Sequence, residues 1–405
     1  MLHSRSRGWP PLTIAGTSGM LFSVAVHLVI GPSSSLASVL AADEQVHRAK
    51  AHDYLIRREA QTSLTRRNLE RSLERDCITS WDGVKPLGHD GDFQCWRQNI
   101  SRLPSTTRHC RHCGDEPRMC LRRYSEEISD ELKKEHKRRD CELLSLMWEA
   151  LPDKSRALTH SSFLPCDWWD RKEGPRRLFV DVGADIGACL LPMAMRQDVE
   201  GAVAIEPYPK NLFYLTSGIL MNPQLQNKTI VYPYAAGQRS WKQEPLYEAA
   251  GDAAGVVVGR PLKLQDHDTA QKAGTVTEQR LDDIFGSKGK HFPYIHVLKL
   301  DAQGYEVKIL QGARELLKAG AINAVKFGIA THWLRNQGSE PAELLNIFVQ
   351  HRYQIFDKLC YDKVSCPFVS DQTLHDAACG PPISEDFVAI RLDNDEKQYQ
   401  HAVKC

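Results

Sequence analysis

Two groups of acids and glycines hold the residues best able to do chemistry in this 405-residue chain. The first is Asp181-Val182-Gly183-Ala184-Asp185-Ile186-Gly187, where the apolar run Leu178-Phe179-Val180 meets an acid and two glycines bracket a turn. A strand that feeds a helix through such a turn lets backbone N–H groups approach a ligand closely. The spacing is Gly-x-x-x-Gly rather than Gly-x-Gly-x-x-Gly, which argues against a nicotinamide enzyme. The next apolar run, Ala202-Val203-Ala204-Ile205, ends at Glu206, twenty-three residues after Gly183. That offset is close to the roughly 20 residues at which a carboxylate accepts bonds from ribose hydroxyls, so the corner predicts a nucleoside-bearing ligand. The second group follows the run Ile295-His296-Val297-Leu298-Lys299-Leu300: Asp301 comes directly after it and Glu306 opens the next helix. An acid at the carboxyl end of a central strand sits where open α/β sheets bind ligands. Asp301 is therefore read as a base or an orienter of an acceptor. Glu306 has two readings, a catalytic carboxylate or a structural acid in the first helical turn.

The elements that must carry these residues alternate. Apolar runs predict strands over 177–182, 201–205, 229–235, 294–300, 323–329, 353–358 and 386–391, and helical periodicity fills 185–196, 209–221, 304–319 and 341–350. A β-α-β-α order implies a parallel sheet with helices on both faces. The last two strands are joined by a long segment with Cys360, Cys366 and Cys379 and no clear helical pattern, which predicts an antiparallel edge strand and a cysteine-stapled loop.

Four motifs in order resemble the FkbM-type S-adenosylmethionine-dependent methyltransferases, over roughly residues 176–393. They are the Asp181–Gly187 turn, Glu206-Pro207, Arg280-Leu281-Asp282-Asp283, and Lys299-Leu300-Asp301 with Gly304 and Glu306. The resemblance implies an α/β class I methyltransferase (Rossmann-like) fold with a seven-stranded, mostly parallel sheet; the cysteines and helical pattern ahead of it read as a small helical cysteine-rich region. The resemblance also implies S-adenosylmethionine as cofactor and a hydroxyl on a sugar or secondary metabolite as acceptor. On this reading Asp181, Gly183 and Gly187 shape the turn around the methionine half. Asp185 contacts the cofactor or caps the following helix, Glu206 holds the ribose and Gln238 faces adenine. His332, near a position where the family often has a histidine, competes with Asp301 as the base. The chain has Asp185, Gln303 and Gln238 where the family commonly has Asn, Glu and Asp. Those changes support the alternative, a catalytically silent lumenal binding or scaffold protein that retains the fold.

Composition sets the surroundings. With 52 basic against 51 acidic residues, nothing calls for a nucleic-acid partner, and 42% hydrophobic content is that of a globular chain. Residues 1–42 lack Asp and Glu and hold the apolar stretch Met20–Ile30, short of the roughly 20 residues of a span. They read as a signal peptide, with a signal-anchor (the one route to a membrane) and a transit peptide as alternatives. Residues 43–76 read as a charged helical stem, 77–170 as a cysteine-rich, partly helical subdomain, 175–395 as the methyltransferase-like domain and 396–405 as a tail. Twelve cysteines behind a leader predict disulfides and a secretory lumen or secreted location, with an organelle or cytoplasm as the alternative. The sequons at Asn99 and Asn227 are compatible with that route. The cluster His109-Cys110-Arg111-His112-Cys113 with Cys120 lacks a second Cys-x-x-Cys pair, so disulfides are expected there and no metal site.

Overall fold

Runs of apolar, β-branched residues become strands when both their faces can be covered. The computed structural model describes residues 98–99, 117–122, 127–135, 139–153, 177–249, 252–261, 263–264, 268–286, 292–360 and 366–405. The leader, the stem, the His109–Cys113 cluster and most of the Asn99 sequon lie outside the described residues.

The seven strands of the main sheet are β1 Leu178–Val182, β2 Gly201–Ile205, β3 Thr229–Tyr232, β4 Ile295–Leu300, β5 Ile322–Ala330, β6 Tyr353–Asp357 and β7 Ser384–Arg391. Their order across the sheet is β6-β7-β5-β4-β1-β2-β3. Neighbours run parallel except at β7, which is antiparallel to β5 and β6. This is the class I methyltransferase-like topology. Every residue of β1 to β4 is buried, as a parallel sheet clad on both faces requires.

Side chains alternate between the faces. Val180, Val182, Val203 and Leu298 pack with the helices Glu306–Gln311, Arg314–Ala319 and Pro341–Gln350. Phe179, Ala202, Ala204 and Val297 pack with Leu190–Met195 and Pro209–Leu220. The second face also takes Met119 and Leu121, from the strand Arg118–Met119 and the residues just after it, and Ile128, Leu132, Leu144, Met147 and Trp148, from the helices Glu127–Glu135 and Arg139–Ala150. These residues, which precede the sheet in the chain, complete its core.

Several expectations need correction. The helix expected over 185–196 forms only at Leu190–Met195, because Gly183, Asp185 and Gly187 all take positive φ and hold the chain in a turn. The helix expected over 304–319 breaks at Gly312, which packs so closely on the Gly237 carbonyl that a Cβ would overlap it. The third strand stops at Tyr232, and Ala235–Ala236 instead pairs with Glu278–Gln279. That pairing opens a four-stranded sheet, with Lys242–Ala249, Asp252–Val258 and Gln271–Gln279, that went unforeseen. The segment between β6 and β7 does contain a helix, Asp371–Cys379, whose first turn is capped by the Ser370 hydroxyl accepting from the Thr373 N–H at 3.1 Å.

Disulfides join Cys141 to Cys189, Cys360 to Cys366 and Cys379 to Cys405, and Cys120 is disulfide-bonded too. The second staples the β6–β7 segment as expected, whereas Cys379 ties that segment to the C-terminus. Among the described residues no helix is long and apolar enough to cross a membrane. The Cys141–Cys189 bond spans 48 residues. In the chain-entropy account its loss in a Cys141→Ser/Cys189→Ser variant costs about 4 kcal/mol of stability, readable as a lowered denaturant midpoint with a raised m-value, since the unlinked chain exposes more surface on unfolding.

Candidate cofactor and acceptor site

The glycine turn is wedged between three strand ends. The Gly183 N–H donates to the Ile205 carbonyl at 3.0 Å, and a Cβ on Gly183 would overlap the Asp301 carbonyl. Only glycine fits there, at φ 79°. Gly187 serves packing instead: its bare Cα faces Leu215 and Leu191. Asp185 takes a left-handed φ of 49°, a conformation Asp tolerates better than most residues. The capping reading for Asp185 is not met, because the helix starts five residues later with Cys189 at its N-cap. Instead the Asp185 N–H donates to Glu206 Oε2 at 2.9 Å, and its carboxylate pairs with Arg122 at 3.0 Å.

Glu206, at the end of β2, is 4% exposed. Its Oε1 accepts the Tyr208 N–H at 2.9 Å and the Asn211 amide at 3.2 Å. Burial first, and then the Asp185 charge, push its pKa up to about 7. Three bonds occupy a carboxylate with about four acceptor positions, so Glu206 retains capacity for a ligand hydroxyl.

On the neighbouring strands Asp181 of β1 stands level with Lys299 of β4. The Lys299 ammonium donates to Asp181 Oδ1 and to the Gly183 carbonyl, each at 3.0 Å, and lies 3.6 Å from Asp301 Oδ2. Asp181 is wholly buried, and burial raises its pKa against the pull of Lys299. The sequence-predicted Asp181 therefore reaches the turn through a lysine. Lys299 was visible only as part of a motif; its signal was a lysine inside an apolar strand. Asp301 keeps 44% of its side chain exposed at the strand end, so it is the member of this set open to an acceptor.

The other candidates separate. Glu306 is buried, and its Oε1 accepts the Ala302 and Gly304 N–H groups at 2.9 and 3.2 Å. It braces the Asp301 loop, which is the structural one of its two readings. His332 is exposed at the start of the helix Thr331–Asn336, and partial burial lowers its pKa. Its neighbour Trp333 lies against Gly304, where a Cβ would strike the Trp333 carbonyl, so the His332 and Asp301 loops adjoin. Gln238 is exposed, and its backbone N–H turns to the buried Glu278 of the small sheet. Gln303 holds a left-handed φ of 53°.

Burial pushes the Glu306 pKa up to about 7. The folded state thus holds this proton more tightly than the unfolded state. Its contribution to stability is full below about pH 4.5 and is lost as pH rises through 7. A shift of that size corresponds to something on the order of 3 kcal/mol. Unfolding midpoints between pH 5 and pH 8 should therefore fall further in the wild-type chain than in Glu306→Gln; equal slopes would exclude the assignment.

Residues 181–355 match the methyltransferase FkbM domain. This part of the chain is an FkbM methyltransferase domain. It begins at the buried Asp181 and runs from the last two residues of β1 into β6, with Glu206 and Asp301 inside it. Among solved structures, the FkbM methyltransferase of Methylobacillus flagellatus is 17% identical at a TM-score of 0.30, over 62% of this chain and 50% of that one. The present chain thus spans about half of that protein's length. An S-adenosylmethionine-dependent O-methyltransferase of Thermotoga maritima is 11% identical at 0.31, over 78% and 97%. The plantazolicin methyltransferase, solved with S-adenosylhomocysteine, is 10% identical at 0.29, over 66% and 89%. No curated protein matches the chain significantly. Beyond the FkbM domain, Arg122 comes from the preceding segment and still reaches the Asp185 turn.

Proposed function

We propose that the protein transfers a methyl group from S-adenosylmethionine to a hydroxyl oxygen of a small-molecule or glycan acceptor. The observation that carries the reading is the meeting, at the carboxyl rim of one parallel sheet, of the Gly183 turn with Glu206 from β2 and Asp301 from β4. The donor set suits the cofactor. Glu206 retains acceptor capacity for a ribose hydroxyl, the Gly183–Asp185 turn would border the methionine half, and the open carboxylate of Asp301 favours a cationic centre nearby.

The cofactor supplies an already activated methyl group. What remains for the chain is to align the acceptor, which can lower a barrier by several kcal/mol, and to receive the hydroxyl proton. Asp301 takes the proton or orients the hydroxyl, and Lys299, 3.6 Å from its Oδ2, directs that carboxylate. His332 is the competing base from the adjoining loop. The disulfides and the acid-free leader support a lumenal or secreted setting, where the cofactor must be delivered across a membrane.

The test is incubation of the full chain with methyl-labelled cofactor and panels of glycans and hydroxylated metabolites, with mass detection of product and S-adenosylhomocysteine. A methylated hydroxyl is the expected result. Failure to bind millimolar S-adenosylmethionine in calorimetry would overturn the reading in favour of a silent scaffold.

A further inference from the structure

Arg122 precedes the glycine turn by 63 residues, yet its side chain is fully buried in the cofactor corner. Its Nη2 nitrogen donates to Asp185 Oδ1 at 3.0 Å and also to Asn211 Oδ1. The Asn211 amide donates to Glu206 Oε1 at 3.2 Å, and Glu206 Oε2 accepts the Asp185 N–H at 2.9 Å. Arg122, Asn211, Glu206 and Asp185 thus close a ring of hydrogen bonds around one carboxylate. The guanidinium carbon also sits 5.7 Å from the centre of the Tyr214 ring.

The segment bearing Arg122 is fastened in place independently. The Arg118 N–H donates to Asn222 Oδ1 at 2.8 Å, and the Asn222 amide returns a bond to the Arg118 carbonyl at 2.7 Å. The Arg122 N–H donates to the Ser129 hydroxyl at 3.1 Å, Cys120 is disulfide-bonded, and Cys141 ties the following helix to Cys189 at the end of the turn. Nothing in this arrangement lets Arg122 drift from its acceptors without breaking several bonds.

We propose that Arg122 is a positioning residue for cofactor binding, holding the Glu206 carboxylate through Asp185 and Asn211 where a ribose docks. The proposal rests on the methyltransferase reading above. Asp185 on the glycine turn and Glu206 at the end of β2 are two neighbouring acids, and their like charges repel. A guanidinium between Asp185 and Asn211 offsets one of them and fixes both distances, which a lysine's flexible point charge does not reproduce. The segment that precedes the FkbM domain therefore supplies part of that domain's cofactor site.

A chemical double cycle on the full-length chain tests this. S-adenosylhomocysteine and its 2′,3′-dideoxy analogue, which lacks the ribose hydroxyls, are titrated by calorimetry into wild type and Arg122→Gln, with thermal midpoints recorded. Arg122→Gln should weaken S-adenosylhomocysteine by about tenfold or more, while the dideoxy analogue changes by less than about threefold, because the Glu206–ribose contact is already missing from it. Equal loss for both ligands, or no loss for either, overturns the proposal. If Arg122→Gln does not fold, Arg122→Lys and Asn211→Ala loosen the same ring from its two sides, and the same comparison decides. A wild-type chain that binds neither ligand overturns the cofactor reading itself; binding that is indifferent to the ring overturns only the role of Arg122.

Discussion

Glu206→Gln should lower affinity for S-adenosylhomocysteine by up to about 100-fold, with a smaller fall in thermal midpoint than Glu206→Ala. A hydrogen bond to an ionised acceptor contributes about 1.5–3 kcal/mol, and the one acceptor position left on Glu206 takes a ribose hydroxyl, so losing the charge costs up to about two decades of affinity. Glutamine is the informative substitution. Its carbonyl oxygen still accepts from Tyr208 or Asp185, whereas Glu206→Ala would leave those buried N–H groups and Asn211 without an acceptor and confound binding with stability. Since Glu206 is held at about 7, the wild-type affinity should also rise with pH between 6 and 8 and then level off. The Gln variant should be flat over that range. Calorimetry at three pH values checks both statements, and an unchanged Kd in the variant would remove the ribose role.

The second large effect is expected at Asp301. Asp301→Asn should reduce kcat by about 10²–10⁴-fold, the usual contribution of a positioned base, while cofactor affinity stays within a few fold. Its side chain is the open one of the Asp181–Lys299–Asp301 set, and asparagine keeps its size while surrendering the proton acceptor. His332→Ala serves as the counter-experiment, because that ring is exposed on the adjoining loop. If His332→Ala produces the large loss and abolishes the acidic limb of the pH–rate profile, histidine is the base and Asp301 the orienter. Changes of only a few fold in both variants would end both assignments.

The two acids show how differently signals reach the surface of a sequence. Glu206 and Asp301 were legible because each ends an apolar run, and strand ends at the carboxyl rim are where ligands bind in such sheets. The small sheet was not. Its strands Lys242–Ala249 and Gln271–Gln279 are rich in charged and polar residues and bury only a minor cluster around Tyr208, Ala235, Leu246 and Val276. Without a strong period-two apolar pattern, such strands look like loop. Glu306 was legible as an acid at a helix start, but its partners, the Ala302 and Gly304 N–H groups, depend on how the Asp301 loop folds back.

By itself the sequence determined the succession of the seven main-sheet strands along the chain, the glycine turn, and the two acids that flank it, since apolar runs and glycine-bracketed turns are local properties. Tertiary structure alone decided that Lys299 would bridge Asp181 and Asp301, and that Arg122 would enter a corner 63 residues away. Both depend on sheet register and on packing between distant segments: a buried charge takes whichever partner the fold sets beside it, and residue spacing does not encode that partner.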